Sequence, residues 1–226
     1  MGVDPYLVIL PAFNAAAKIG RTIRELLAVT EDPKRIVVVD DGSGDRTAEI
    51  ARNFGTVLLQ HRKNRGKGAA LKTGFQFALS SGISEIVVLD ADGQHNPRLV
   101  PNFLTTARDG GFDLVLGVRD MSTKNMPPDR RLSNRLSSLV ISLVCGRRIP
   151  DSQCGYRFVH LRRYPSMKLR SRRFEFESEL LIRYCRSGAK IGFLNIPTVY
   201  ADEPSSIRRA ADTVRFLIML AKTVCS

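Results

Sequence analysis

Long apolar runs are missing from this 226-residue chain, and none reaches the ~18–20 residues that a membrane span needs. The stretch from Met1 to Pro11 also lacks a basic region followed by a long apolar one, so no secretory leader is read there and a cytoplasmic protein is expected. Cys145, Cys154, Cys185 and Cys225 form no C-x-x-C pair and have no clustered histidines near them. That pattern argues against structural zinc and against a disulfide framework. His61 and His160 stand alone, and His95 differs only in following a carboxylate-rich stretch. Neither a Walker loop nor G-x-G-x-x-G is present, and no internal repeat or low-complexity tract stands out.

Acidic residues are scarce in one half only. Residues 1–118 hold 14 Lys/Arg against 13 Asp/Glu, whereas residues 119–226 hold 21 against 9. The net charge of +13 therefore belongs almost wholly to the second half. A basic face suits nucleic acid, anionic lipid or a phosphorylated substrate, or simply a solvated surface. With 43% hydrophobic residues, the chain can bury one sizeable core, and a single unit over 1–226 is expected.

What is present is a repeated grammar of buried strand followed by carboxylates. Ile86-Val87-Val88-Leu89 runs into Asp90-Ala91-Asp92-Gly93-Gln94-His95, and Arg35-Ile36-Val37-Val38-Val39 into Asp40-Asp41-Gly42-Ser43. β-Branched runs of this kind read as strands covered on both faces. Their C-terminal ends open on a ligand crevice, which places Asp90 and Asp92 at its mouth. Carboxylate oxygens there suit a hard divalent cation, and a cation beside phosphates is one way to hold a nucleoside diphosphate.

Further strands are read at Tyr6 to Pro11, closed by the proline, at Thr56 to Leu59, Asp113 to Gly117, Phe158-Val159 and Lys190 to Ile196. Helices are read from the apolar spacing of Ile19, Ile23, Leu26 and Leu27, of Leu71, Phe75, Ala78 and Leu79, and of Leu99, Val100, Phe103 and Leu104. Asp45 or Ser43 is a candidate cap for a weaker helix through Ala48, Ile50 and Ala51. The alternation predicts a mostly parallel α/β sheet covered on both sides. Gly66 and Gly68 in Asn64-Arg65-Gly66-Lys67-Gly68 let a backbone approach a ligand at a helix start, where free N–H groups favour anions. From Arg119 the pattern changes to a Met121–Asp129 loop and then a helix with Leu132, Leu136, Leu139, Val140, Leu143 and Val144, led in by Arg130, Arg131 and Arg135. Another helix follows at Phe176 to Tyr184. A basic apolar one runs from Ile207 to Val224; it is read as packing on the core, with a bilayer surface as the alternative.

Five motifs in this order, Pro11-Ala12-Phe13-Asn14, Asp40-Asp41-Gly42-Ser43, Asn64 to Gly68, Asp90-Ala91-Asp92-Gly93 and Asp151-Ser152-Gln153-Cys154-Gly155-Tyr156-Arg157, resemble family 2 glycosyltransferases. Within that family the similarity is nearest to the polyprenol-phosphate sugar transferases, the dolichyl-phosphate mannosyl- and glucosyltransferase group, and it covers about Val8 to Lys222. The resemblance implies a GT-A type fold, with a nucleotide-sugar-binding half (1–118) continuing into an acceptor and membrane-facing half (119–226). It implies that Asp40, Asp41 and Gly42 contact the donor nucleoside with Pro11 and Asn14 beside them. Lys67 and Gly68 would also belong to the donor site. Asp90 and Asp92, helped by Gln94, would hold Mg²⁺ or Mn²⁺ against the diphosphate.

A phosphate monoester acceptor needs no general base, because its second pKa of ~6 leaves it largely a dianion at neutral pH. No base motif follows the two aspartates. Arg119, Arg131 and Arg135 suit forked binding of a phosphate, and the resemblance puts them at the acceptor. These readings imply a hexose donor such as GDP-mannose or UDP-glucose, a polyprenyl-phosphate acceptor and peripheral contact with an anionic membrane. The alternative acceptor is a saccharide or other small molecule. Of Glu175, Glu177 and Glu179, Glu179 is the candidate to support the site. Ala15 departs from the family pattern, which carries a glutamate there, and hydrophobic spans found in some relatives are absent, so attachment is expected to be peripheral or borrowed from a membrane-protein partner. A nucleic-acid binder fits poorly: Asp40, Asp41, Asp90 and Asp92 repel phosphate unless a metal intervenes, and no aromatic set accompanies the arginines.

Overall fold

The structure is a computed structural model and describes residues 5–120, 128–197 and 209–224. Seven strands form one sheet: β1 (Tyr6–Ala12), β2 (Ile36–Asp40), β3 (Val57–Gln60), β4 (Glu85–Val88), β5 (Leu114–Arg119), β6 (Arg157–His160) and β7 (Ile191–Ile196). Their order is β3-β2-β1-β4-β6-β5-β7. All neighbours are parallel except β6, which runs antiparallel to both β4 and β5. The sheet is therefore mostly parallel, as the strand–helix alternation predicts, and one strand from the basic half is wedged into its middle.

Pro11 does not end β1, as its position in the sequence suggests. The strand continues to Ala12, with Pro11 paired to Val39. The pairing of β1 with β4 stops at Ile9 and Val88, so the proline's missing N–H falls beyond that neighbour's ladder.

Period-two alternation sends the strand side chains into two cores. One face, with Val8, Leu10, Val38 and Val87, packs against α1 (Ala16–Thr30), α2 (Thr47–Asn53) and α4 (Val100–Gly110). The other, with Leu7, Ile9, Val37, Ile86 and Leu114, packs against α3 (Lys67–Ser80), α5 (Pro128–Cys145), α6 (Glu175–Arg186) and α7 (Arg209–Val224). Burying each such side chain stabilises the fold by about 1.5–3 kcal/mol. The chain runs β1-β2-β3 outward on one side of β1 and returns to β4 on the other. The gap beyond the carboxyl ends of β1 and β4 is thus the topological switch point, where open α/β sheets bind ligands.

Two helices depart from the expected burial. In α5 only part of the apolar set reaches the core. Ile141 is buried and Val140 and Val144 pack against the core, while Leu132, Leu136, Leu139 and Leu143 are exposed. In α7 Met219 and Leu220 are buried, but Val214, Leu217 and Ile218 are exposed, so core packing describes one face of that helix only. Of the predicted Met121–Asp129 loop, 121–127 lie outside the described residues, as do 207 and 208, and the last two loop positions belong instead to α5, which begins at Pro128. Among the described residues, no helix is long and apolar enough to cross a membrane.

Candidate functional site at the switch point

Asp90 and Asp92 follow β4 directly, at the open end of the β1/β4 gap. Lys67, the first residue of α3, reaches across to them: its Nζ lies 2.6 Å from Asp90 Oδ1 and 2.9 Å from Glu177 Oε2. Burial by itself would lower the Lys67 pKa, but Asp90 and Glu177 outweigh it and hold the ammonium above its ordinary range. Burial would likewise raise Asp90, and Lys67 reverses that so the carboxyl stays ionised. Asp92 feels only the weaker pull of Lys67 and Lys18. Burial first, then the negative charge of Asp90, lift its pKa above the ordinary 3.8. The main-chain N–H of Gln94 donates to Asp92 Oδ1 at 2.9 Å, so Gln94 is seen here orienting Asp92 through its backbone.

Because Lys67 is shared between Asp90 and Glu177, and Lys67 and Lys18 do not offset burial and Asp90 at Asp92, the two aspartates are left with a deficit of positive charge. Among the described residues no cluster of three or more metal-ligating side chains exists. That donor set fits Mg²⁺ or Mn²⁺, ions that take one or two protein carboxylates and complete their shell with substrate phosphate and water. It does not fit a cation caged wholly by protein.

The turn before β6 forms the opposite wall. A Cβ at Gly155 would stand 2.5 Å from Asp90 Oδ2 and 3.0 Å from Lys67 Nζ, so only glycine leaves room for that ion pair. Arg157 is buried and donates to the carbonyls of Cys154, Ser152 and Glu177, which fastens the turn to α6. Asp151, fully buried, receives Arg119 as a fork, Nε at 2.7 Å and Nη2 at 3.0 Å. Tyr156 stacks on Phe103 and meets the ring of His95. Burial pushes His95 down to about 4, leaving it neutral, and its Nδ1 has no hydrogen-bond partner among the described residues.

The remaining motifs that the resemblance places at the donor are tied into the chain's own architecture. Asp40 accepts from Ser43, through both its N–H and hydroxyl, and from Gln60 Nε2 at 3.2 Å. Asp41 accepts the N–H groups of Arg65 and Gly66 and lies 2.6 Å from His61 Nδ1. Both carboxylates are buried, so what they organise directly is the pair of loops around the crevice. Asn14, at φ 50°, donates its N–H to Ser43 and accepts from Gly44. Asp45 accepts from Ala16 and Thr47, serving the starts of both α1 and α2.

Several glycines of these motifs are packed against other parts of the protein: a Cβ at Gly66 would meet Arg172 O at 2.6 Å. A Cβ at Gly42 would meet Lys63 backbone at 2.5 Å, and one at Gly68 would meet Phe176 Cβ at 2.5 Å and Arg172 backbone at 2.8 Å. Moreover, the Ala69 N–H at the start of α3 donates to Arg172 O. The segment before α6 packs closely over this helix start.

Lys67 and Gly155 are thus gathered at Asp90, and His95 lies within electrostatic reach of both that group and the Arg119–Asp151 pair. Glu179, expected to support the site, instead accepts the N–H groups of Arg170 and Ser171 and braces the segment over α3. Glu177 is the glutamate at the site. Reasoning from the sequence missed it because three alternating glutamates on a helix look equivalent until the helix is docked. Arg131 is half-buried and Arg135 exposed on α5; the side chain of Arg130 lies outside the described residues.

Residues 7–186 match the family model described as Glycosyl transferase family 2. An uncharacterised protein of Methanocaldococcus jannaschii is 36% identical over 98% of this chain and 91% of its own length. The UDP-N-acetylglucosamine–dolichyl-phosphate N-acetylglucosaminyltransferase of Methanococcus voltae is 30% identical over 86% of each chain. The undecaprenyl-phosphate mannosyltransferase of Micrococcus luteus is 28% identical over 87% of this chain and 83% of its own. Among solved structures, glucosyl-3-phosphoglycerate synthase from Mycobacterium tuberculosis, in complex with Mn²⁺, UDP and its product, superposes with TM-score 0.79 at 19% identity, over 98% of this chain and 80% of that one. That likeness is one of fold, and the fold is the GT-A type.

Proposed function

Because the chain belongs to glycosyl transferase family 2, we propose that it moves a hexose-type sugar from a nucleotide sugar to a polyprenyl phosphate, with inversion at the anomeric carbon. The observation that carries this reading is the Asp90/Asp92 pair at the switch point, whose incompletely neutralised member, Asp92, is matched to a cation-bound diphosphate. Relatives named for dolichyl- and undecaprenyl-phosphate support the acceptor. They differ in donor sugar, so the donor is left at the level of a nucleotide sugar.

In the reaction a phosphate oxygen of the acceptor forms a bond to the anomeric carbon as the bond from that carbon to the nucleoside diphosphate breaks. The electron pair goes to the departing phosphate oxygen, where Mg²⁺ or Mn²⁺ held by Asp90 and Asp92 would offset the growing charge. Lys67 holds Asp90 ionised and in place. No proton is removed from the acceptor, so the site needs no base. Arg131 and Arg135 are assigned to the acceptor phosphate, and Arg119, aimed by Asp151, to the wall beside it. By this reading the protein works at a membrane surface from the cytoplasmic side.

The test is incubation with labelled UDP-N-acetylglucosamine, GDP-mannose and UDP-glucose in turn, with polyprenyl phosphate and Mn²⁺. An organic-extractable label released by mild acid is expected with one of them. Transfer only to water-soluble acceptors would overturn the lipid-phosphate assignment in favour of a saccharide or other small acceptor.

A further inference from the structure

Helix α5 turns two serines inward beside Ile141 and four leucines outward. Ser138 is buried and shares hydrogen bonds with Ser152, and Ser142 bonds the Ser138 carbonyl and the Ile149 N–H. Opposite them Leu132, Leu136, Leu139 and Leu143 recur at steps of four, three and four, one line along a helix. They are 69, 59, 57 and 74% exposed. A helix lying on a water-soluble core normally shows the reverse, and a contiguous apolar patch of this kind marks an interaction surface.

Charge identifies the occupant. From Arg130 to Pro150 the sequence holds five arginines and no aspartate or glutamate. Arg135 falls three residues after Leu132 and four before Leu139, so it borders the stripe, and Arg147 and Arg148 are exposed just past its other end. A second copy of this chain is a poor partner: it would face arginine with arginine, and four leucines fall far short of the ~20–30 residues a side of a stable dimer. An apolar line flanked by cations is what an in-plane helix presents to an anionic bilayer, with its apolar side chains ~5–10 Å into the acyl boundary and its cations among the phosphates.

We infer that α5 is a bilayer-docking helix, seated on anionic lipid through Leu132, Leu136, Leu139 and Leu143. The inference rests on the proposed function for its purpose: docking brings Arg131 and Arg135, on the same helix, to the level at which a lipid acceptor presents its phosphate.

The chain contains no tryptophan, so Leu139→Trp supplies a single fluorophore without background. With vesicles of phosphatidylcholine and phosphatidylglycerol its emission should shift to the blue and be quenched by brominated acyl chains. Leu136→Ser with Leu139→Ser should weaken sedimentation with those vesicles by roughly tenfold or more, while turnover on a water-soluble short-chain isoprenyl phosphate stays within about twofold of the parent. Vesicle binding with an unshifted fluorophore, or undiminished binding of the double-serine variant, would place docking elsewhere and overturn the inference. A blue shift without lipid, together with a dimer's mass, would overturn it as well. Insertion of the fluorophore without turnover on any isoprenyl phosphate would leave docking standing and remove the acceptor assignment instead.

Discussion

Lys67 stands where a divalent cation would also be drawn, between Asp90 and Glu177, and this makes the three side chains one electrostatic unit. Replacing Lys67 by methionine strands two carboxylates of low exposure. A loss of about 3 kcal/mol is expected, the lower end for a broken buried pair because Asp90 keeps some solvent, and it is read from the urea midpoint at constant slope. Asp92 has the opposite character. Its pKa is raised by burial and by Asp90, so the proton is retained above the ordinary 3.8 and competes with metal. Manganese affinity, followed by calorimetry, should therefore fall on acidification through a range above that value. Asp92→Asn should remove both that pH dependence and most of the affinity; unaltered manganese binding in Asp92→Asn would sink the assignment of the cation to this pair.

Contacts between elements decide which glycines are indispensable. At Gly68, where α3 meets the segment before α6, a methyl group would collide with Phe176 Cβ and with Arg172 and Arg173 backbone. Gly68→Ala should cost roughly 1–3 kcal/mol, whereas Gly44→Ala, which meets nothing within 4 Å, should be close to neutral in the same thermal melts. A second joint lies at the far end of the sheet. Asp113, at the start of β5, accepts from Arg162 Nε at 2.6 Å and from the Lys190 N–H at 2.9 Å before β7, and pairs with Arg163. Burial opposes its ionisation, but the Lys190 bond and the two arginines lower its pKa below 3.8. A lowered pKa contributes stability that is present above 3.8 and lost as pH falls through the folded-state value. Asp113→Asn should thus be less stable than the parent at neutral pH, with the gap closing in acid; a gap constant with pH would mean the ion pairs contribute nothing.

Over the whole molecule, one sheet runs through both the near-neutral first half and the strongly basic second half, because β6 inserts between β4 and β5. Asp90, Asp92 and the basic helices are therefore attached to one sheet. Attraction of that basic half to phosphatidylglycerol vesicles should weaken steadily as ionic strength rises and the Debye length shrinks from ~10 Å at 0.1 M, while the leucine contribution persists. Binding indifferent to salt would assign no role to the excess of arginine and lysine.

Strand-then-carboxylate grammar made the parallel α/β core and the placement of Asp90 and Asp92 at the crevice legible from the sequence, because period-two burial and charge at strand ends are local properties. The antiparallel insertion of β6 was not legible: a four-residue strand carries no mark of its direction or neighbours. Nor could spacing distinguish a glycine that admits a ligand from one that admits Arg172, or Glu177 from Glu179, since those differences arise from segments about 100 residues apart. Apolar periodicity announced α5 correctly as a helix but could not say that its leucines face outward, since which side of a helix is covered depends on what the rest of the chain packs against it.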